Sequence, residues 1–296
     1  MTTPVPSPRR TLRVHRVAAS FLAALALCVT TTGHAAADEA ARALLPDDMK
    51  QKGTLVVAMP LDFEPFNWLD EKTQPVGLDV DMIRAIGDKL GLKVDIQRMG
   101  FASMIPSVSG GRVDAAMAAM GILPPRLALV SFVRYGHFSN GLVVRKGNPT
   151  NVRNDDACGH TISVEKGTQP LLVWQKKSEE CVAAGKPKIE LMVLEGKGPQ
   201  VLAVESGRAE AAGVGYATGI VAAKHSGGRL EAAPGGPVPG ATVECGIAVN
   251  KQNVKLGHAM EAALKTLVKD GTYDKIWADY GLSAERAPPA LIQQGS

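Results

Sequence analysis

The feature that most constrains this chain is a rhythm: short apolar runs alternate with amphipathic stretches, and the whole pattern occurs twice. GTLVVAM reads as a buried strand, and GLDVDMIRAIGDKLG as a helix with Asp79 near its start, Gly91 just past its end, and Val80, Ile83, Ile86 and Leu90 on one face. KVDIQRM is the next strand, FASMIPSVSGG a short helix carrying Met104, Ile105 and Val108, and RVDAAMAAM a further strand. Such a βαβαβ order belongs to a sheet with helices on both faces. The rhythm returns as HTISVEKGT, a helix from about Gln169 to Glu180, then KIELMVL, GPQVLAVESGRA, EAAGVG and ATGIVAAKHSGG. FSNGLVVRKGNP and TVECGIAVNK read as extended segments that cross between the two halves. Two crossings mean that the chain leaves a first lobe, builds a second and returns, so that LGHAMEAALKTLVKDGT and YDKIWADYG complete the first. The class read from this order is α/β with two lobes.

The beginning of the chain has a different character. Residues 1–37 open on a basic head, PSPRRTLRVHR, pass into apolar VAASFLAALALCV and leave through TTGHAAADEA, the build of a secretory signal peptide cleaved after Ala37. The alternative is a membrane anchor, for which the apolar run is short and rich in alanine. A lipoprotein would use Cys28, but bulky Leu27 stands where a small residue is expected. Arg9 and Arg10 leave the choice between general and twin-arginine export open. The leader holds four arginines and no acid, so its removal leaves 29 Lys and Arg against 29 Asp and Glu in about 259 residues. Formal neutrality, and the lack of a basic tract interleaved with aromatics, argue against a nucleic-acid partner. Export puts the cysteines in an oxidising compartment. Cys158 and Cys181, in one segment, are expected to pair, and Cys245 to remain a buried thiol. No histidine lies at ligand spacing from a cysteine, so no metal site is expected.

Eight stretches in order, FEPFNW, VGLDVDMIRAIGDKLG, FASMIPSVSGGRVDAAMAAM, PPRLALVSF, EKGTQ, ESGRAEA, CGIAVNK and KDGTYDKIWADYG, resemble the periplasmic solute-binding proteins of polar amino acid ABC importers, solute-binding protein family 3. The resemblance covers nearly all of residues 51–282. It implies a bilobal periplasmic binding protein-like fold of type II, with lobe one over 51–140 and 246–287, lobe two over 144–242, and a two-segment hinge near 140–144 and 242–246. A ligand would be engulfed in the cleft as the lobes close. By the same resemblance Arg126 grips the ligand's carboxylate, for which a guanidinium offers a planar fork of donors. The other reading of Arg126 is an internal salt bridge. Phe63 would pack over the ligand from lobe one and Phe101 would be a second aromatic, unless it is plain core. Ala119 and Gly121 belong to the first-lobe loop, and Gly167, Thr168 and Gln169 to the lobe-two turn whose backbone N–H and hydroxyl meet the carboxylate's other face.

The chain departs from that pattern in two places. Gly215 stands where the family usually has an aspartate for the ligand's α-ammonium, and Gly121 and Leu123 stand where hydroxyl residues are common. A buried ammonium without a carboxylate is costly. Either Glu165 or Glu244 substitutes, or the ligand has a carboxylate and no ordinary α-ammonium. The implied protein is a monomeric periplasmic receptor, needing no cofactor, that works with an ABC permease and its ATPase. The competing readings are an enzyme on the same fold, similar to cyclohexadienyl dehydratases, with Glu64, Glu165 and Glu244 as possible acids or bases, and a ligand-sensing domain. No Ser/His/Asp or Cys/His set favours catalysis.

Overall fold

The structure, a computed structural model, describes residues 1–3 and 37–294. The leader reading, with Arg9, Arg10 and Cys28, lies outside the described residues apart from Met1 to Thr3 and Ala37. By its contacts the chain divides into Met1–His34 and Ala35–Ser296, and the second unit holds every element described below.

Two sheets organise this unit. The first has six strands in the order Arg286–Ile292, Val130–Phe138, Val243–Asn250, Ala115–Ala116, Thr54–Met59 and Lys93–Arg98. Thr54–Met59 runs parallel to both of its neighbours, and the strands on the far side are antiparallel. Helix Leu78–Leu90 lays Val80, Ile83, Ile86 and Leu90 into this lobe's core and stops at Gly91, whose φ of 62° suits a residue without a side chain. The second sheet has five strands, Glu190–Leu194, Thr161–Glu165, Ala211–Gly215, Asn140–Arg145 and Leu230–Ala232. Its core gathers Leu142, Val144, Ile162, Val164 and Trp174.

The passage between sheets is tighter than the expected hinge. Phe138 ends a strand of the first sheet and Asn140 begins one of the second, so the crossing falls at Ser139 and residues 140–144 are committed to pairing with Ala211–Gly215. The return crossing precedes Val243, and the Ser139 and Thr242 hydroxyls lie 3.0 Å apart where the two segments pass. At the other end of the described chain, RAPPALI is the edge strand Arg286–Ile292, and its two prolines sit where the register shifts, a place open to residues without an N–H.

Cys158 and Cys181 form the expected disulfide, with Cα atoms 5.7 Å apart, and Cys245 is a buried free thiol. Closing a loop of this length stabilises the fold by roughly 3 kcal/mol in the chain-entropy model. Replacing both cysteines by serine should therefore lower the unfolding free energy by about that amount, read from urea denaturation, while an unchanged midpoint would show the bridge to be dispensable.

Under the first lobe's surface lies a buried polar network. Asp79 accepts hydrogen bonds from Tyr135 Oη at 2.7 Å and Asn67 Nδ2 at 2.9 Å, and Tyr135 Oη in turn accepts from the Ala119 N–H at 3.1 Å. Asn67 Oδ1 accepts from the Leu61 N–H at 3.0 Å. One carboxyl thus ties together the strand pair that carries Phe63 and the loop that carries Ala119. Burial pushes the Asp79 carboxyl from its ordinary 3.8 up to about 6, against the pull of those donors. A raised folded-state value means that this group's contribution to stability is full below about 3.8 and is lost as pH rises through about 6. The handicap of Asp79→Asn relative to the parent should accordingly shrink between pH 4 and pH 7. A melting difference that stays constant across that range would show the carboxyl to titrate normally.

Candidate functional site

The sheets flank a cavity of about 620 Å³, open solvent at its mouth included. From the first lobe it is lined by Phe63, Phe101, Ala119, Gly121 and Arg126, and from the second by Glu165, Thr168, Gln169 and Gly215. Nine of the eleven ligand-site residues proposed from the sequence therefore meet around one space. Ala119 turns the first-lobe loop with a φ of 45°, and the Gly121 that follows bridges to Cys245 of the central strand. Beyond Ala116 the chain leaves the regular ladder, so RVDAAMAAM supplies only a two-residue strand.

Arg126 comes from a short helix, Pro124–Leu127, that the two prolines open. Its Nη1 donates to the Gly121 carbonyl at 2.7 Å and its Nη2 to the Gly167 carbonyl at 2.6 Å, so the guanidinium reaches both lobes. The guanidinium carbon lies 5.3 Å from the centre of the Phe101 ring, which makes Phe101 a cleft residue packed against the first-lobe core. Among the described residues Arg126 forms no ion pair with a carboxylate. Burial alone pushes it down to about 10, which leaves it a cation at neutral pH. A half-buried cation answered only by carbonyl dipoles has capacity for an anion.

The turn in the second lobe departs from what the resemblance implied. Gly167, at a φ of 75°, offers its carbonyl to Arg126. Thr168 caps helix Gln169–Ala183, but both its hydroxyl, at 2.7 Å, and its N–H, at 3.3 Å, donate to the Glu165 carbonyl and not into the cavity. Pro170 removes a further donor from the first turn of this helix. In this conformation Arg126 is therefore the cavity cation that meets no carboxylate among the described residues, whereas Lys197 is paired with Glu165.

The two proposed substitute acids part company. Glu165 lines the cavity at 5 % exposure, with its Oε2 2.8 Å from Lys197 Nζ. Glu244 does not line it. Alternation along a strand turns Val243 toward the cavity and Glu244 to the other face, where it pairs with Arg134 and stays half-exposed. Glu64 is likewise outside the lining, its Oε1 2.7 Å from His225 Nδ1 of the second lobe.

Sequence reasoning missed Asp62, Lys197 and Thr218, all of which line the cavity. Asp62 adjoins Phe63 and could have been inferred from that. Partial desolvation, and then the charge of Glu165, push its carboxyl upward, while Lys197 and Arg98 oppose them. Thr218 follows Gly215 at the start of helix Tyr216–His225, and a Cβ built on Gly215 would sit 2.5 Å from the Thr218 hydroxyl oxygen. Lys197 opens helix Lys197–Glu205 and carries no motif. Among the described residues no cluster of His, Cys, Asp and Glu could hold a metal ion.

Comparison with known proteins returns one consistent kinship. The model of the bacterial extracellular solute-binding proteins, family 3, matches residues 55–283. Arginine-binding protein ArgT of Corynebacterium glutamicum is 26 % identical over 261 residues, covering 86 % of this chain and 82 % of that protein. The structure of an ancestral arginine-binding protein bound to glutamine superposes with a TM-score of 0.66 at 29 % identity, covering 78 % of this chain and 98 % of the other. An ancestral amino acid-binding protein described as a precursor of cyclohexadienyl dehydratase superposes at 0.64 with 25 % identity, over 79 % of this chain and 98 % of its own.

Proposed function

Because the chain belongs to the bacterial extracellular solute-binding proteins of family 3, we propose that it is the extracytoplasmic binding component of an ABC importer, acting as a monomer on an amino acid or related small carboxylate. The observation that carries this reading is Arg126, a guanidinium in the cleft that touches both lobes and, among the described residues, meets no carboxylate. A ligand carboxylate there would be held by charge-assisted hydrogen bonds in a site shielded from water. Crossings at Ser139 and ahead of Val243 supply a two-segment hinge. Since the ligand would bridge the lobes, it would bind the closed state better than the open one and shift the population toward it. That closed form is what a permease would read, and the energy of transport would come from the partner ATPase. No cofactor enters this scheme. The leader over residues 1–37 supports delivery to the periplasm.

A lyase reading is weaker. Glu165, the one buried acid among the described residues that line the cleft, is already ion-paired with Lys197, and the free thiol Cys245 lies outside the lining. A thermal-shift panel of amino acids, opines, betaines, keto acids and hydroxy acids tests the proposal. At least one carboxylate should raise the melting temperature with concentration as RT ln(1 + [L]/Kd) requires, and a panel without any such ligand would overturn it.

A further inference from the structure

We infer that Lys197 is a built-in cation that sets the ligand class of this cleft, excluding carboxylates with a cationic tail and admitting those whose far end is neutral or anionic. The inference rests on the reading of Arg126 as the carboxylate anchor. Lys197 follows Gly196, whose φ of 84° turns the chain, and from the first position of its helix it reaches across to the other lobe. Its ammonium lies 2.8 Å from Glu165 Oε2 and 4.9 Å from the centre of the Phe63 ring. The side chains of Lys197 and Glu165 are 17 % and 6 % exposed, so the pair is drawn into the cleft and is no surface contact.

A carboxylate and an aromatic face converging on one point, away from water, are what a ligand's ammonium or guanidinium requires. In this chain that point is held by the protein's own lysine. Asp62 adds a second carboxylate to the same cavity. Without Lys197 the cavity would set two carboxylates against Arg126, an arrangement suited to a ligand with a carboxylate at one end and a cation at the other. With Lys197 present, an incoming cation must either displace it from Glu165 or sit beside a like charge in a partly desolvated space. A tail that accepts hydrogen bonds meets neither difficulty, since an ammonium has three donors and the Glu165 contact uses one.

Three probes that share a carboxylate and lack an α-ammonium isolate the tail: 4-carbamoylbutanoate (neutral), glutarate (anionic) and 4-guanidinobutanoate (cationic). Calorimetric titration of the exported protein should find the cationic probe at least about a hundredfold weaker than the better of the other two. Lys197→Ala should then strengthen the cationic probe by about tenfold or more and weaken glutarate. Equal affinity for all three in the parent overturns the inference, and so does a folded alanine variant whose preference is unchanged. The comparison in the parent stands even if the variant does not fold. Failure of the underlying reading looks different, because then none of the three probes binds the parent.

Discussion

Arg126→Ala should weaken binding of the carboxylate ligand by about 2–5 kcal/mol, the range for removing one partner of a desolvated charge pair. The effect is large because the loss is asymmetric. The ligand's carboxylate would still be stripped of water on closure but would meet, on the second lobe, a Thr168 whose hydroxyl and N–H already face the Glu165 carbonyl. Pro170 contributes no N–H either. The variant should also close less readily, since the Gly121 and Gly167 carbonyls lose the donor that joins them across the cleft. Arg126 stands half-exposed on a four-residue helix at the cleft, so the unfolding free energy from urea denaturation without ligand should fall by no more than its two carbonyl hydrogen bonds contribute, about 1 kcal/mol each. Titration of a carboxylate identified by thermal shift reads the affinity. A variant that binds as tightly as the parent would place the carboxylate elsewhere or show that the ligand has none.

Regular elements were legible where local pattern and tertiary role agree. The period of Val80, Ile83, Ile86 and Leu90 names the buried face of its helix before any neighbour is known, and Gly91 marks its end. The disulfide followed from compartment and proximity in sequence. The prolines of the edge strand Arg286–Ile292 argue against a strand locally, and only its position beside Val130–Phe138 makes the pairing possible. Glu244 shows a second limit. Matching by position cannot say which way a side chain faces in a strand with a register shift between Cys245 and Gly246, and here Val243 takes the cavity side. Lys197 and Thr218 were invisible for a third reason: each matters through what it meets across a gap of many residues or a helical turn, Glu165 and Phe63 in one case and the space above Gly215 in the other.

Gly215→Asp combined with Thr218→Ala should raise affinity for standard α-amino acids about a hundredfold or more, by giving the α-ammonium a carboxylate partner in a dry cleft. Gly215 caps helix Tyr216–His225 and lines the cavity, so an aspartate there would place its charge in the space the ligand enters. The single change is obstructed. Its Cβ would lie 2.5 Å from the Thr218 hydroxyl oxygen, closer than such atoms approach, and Thr218 is nearly buried at 6 % exposure. Gly215→Asp alone should therefore gain less than the double variant, because the Thr218 side chain must give way, and Thr218→Ala removes that contact. The same added charge should weaken a ligand that has a carboxylate and no ammonium, because it would stand in the cavity uncompensated. L-glutamine and 4-carbamoylbutanoate differ only in the α-ammonium, so their affinity ratio isolates the effect from changes in closure or tail recognition. In the parent the ratio should favour the simple carboxylate, and in the double variant it should reverse. If the parent already binds L-glutamine below micromolar concentration, and Glu165→Gln leaves that binding intact, then the ammonium is met by some other group and the glycine at 215 does not select the ligand.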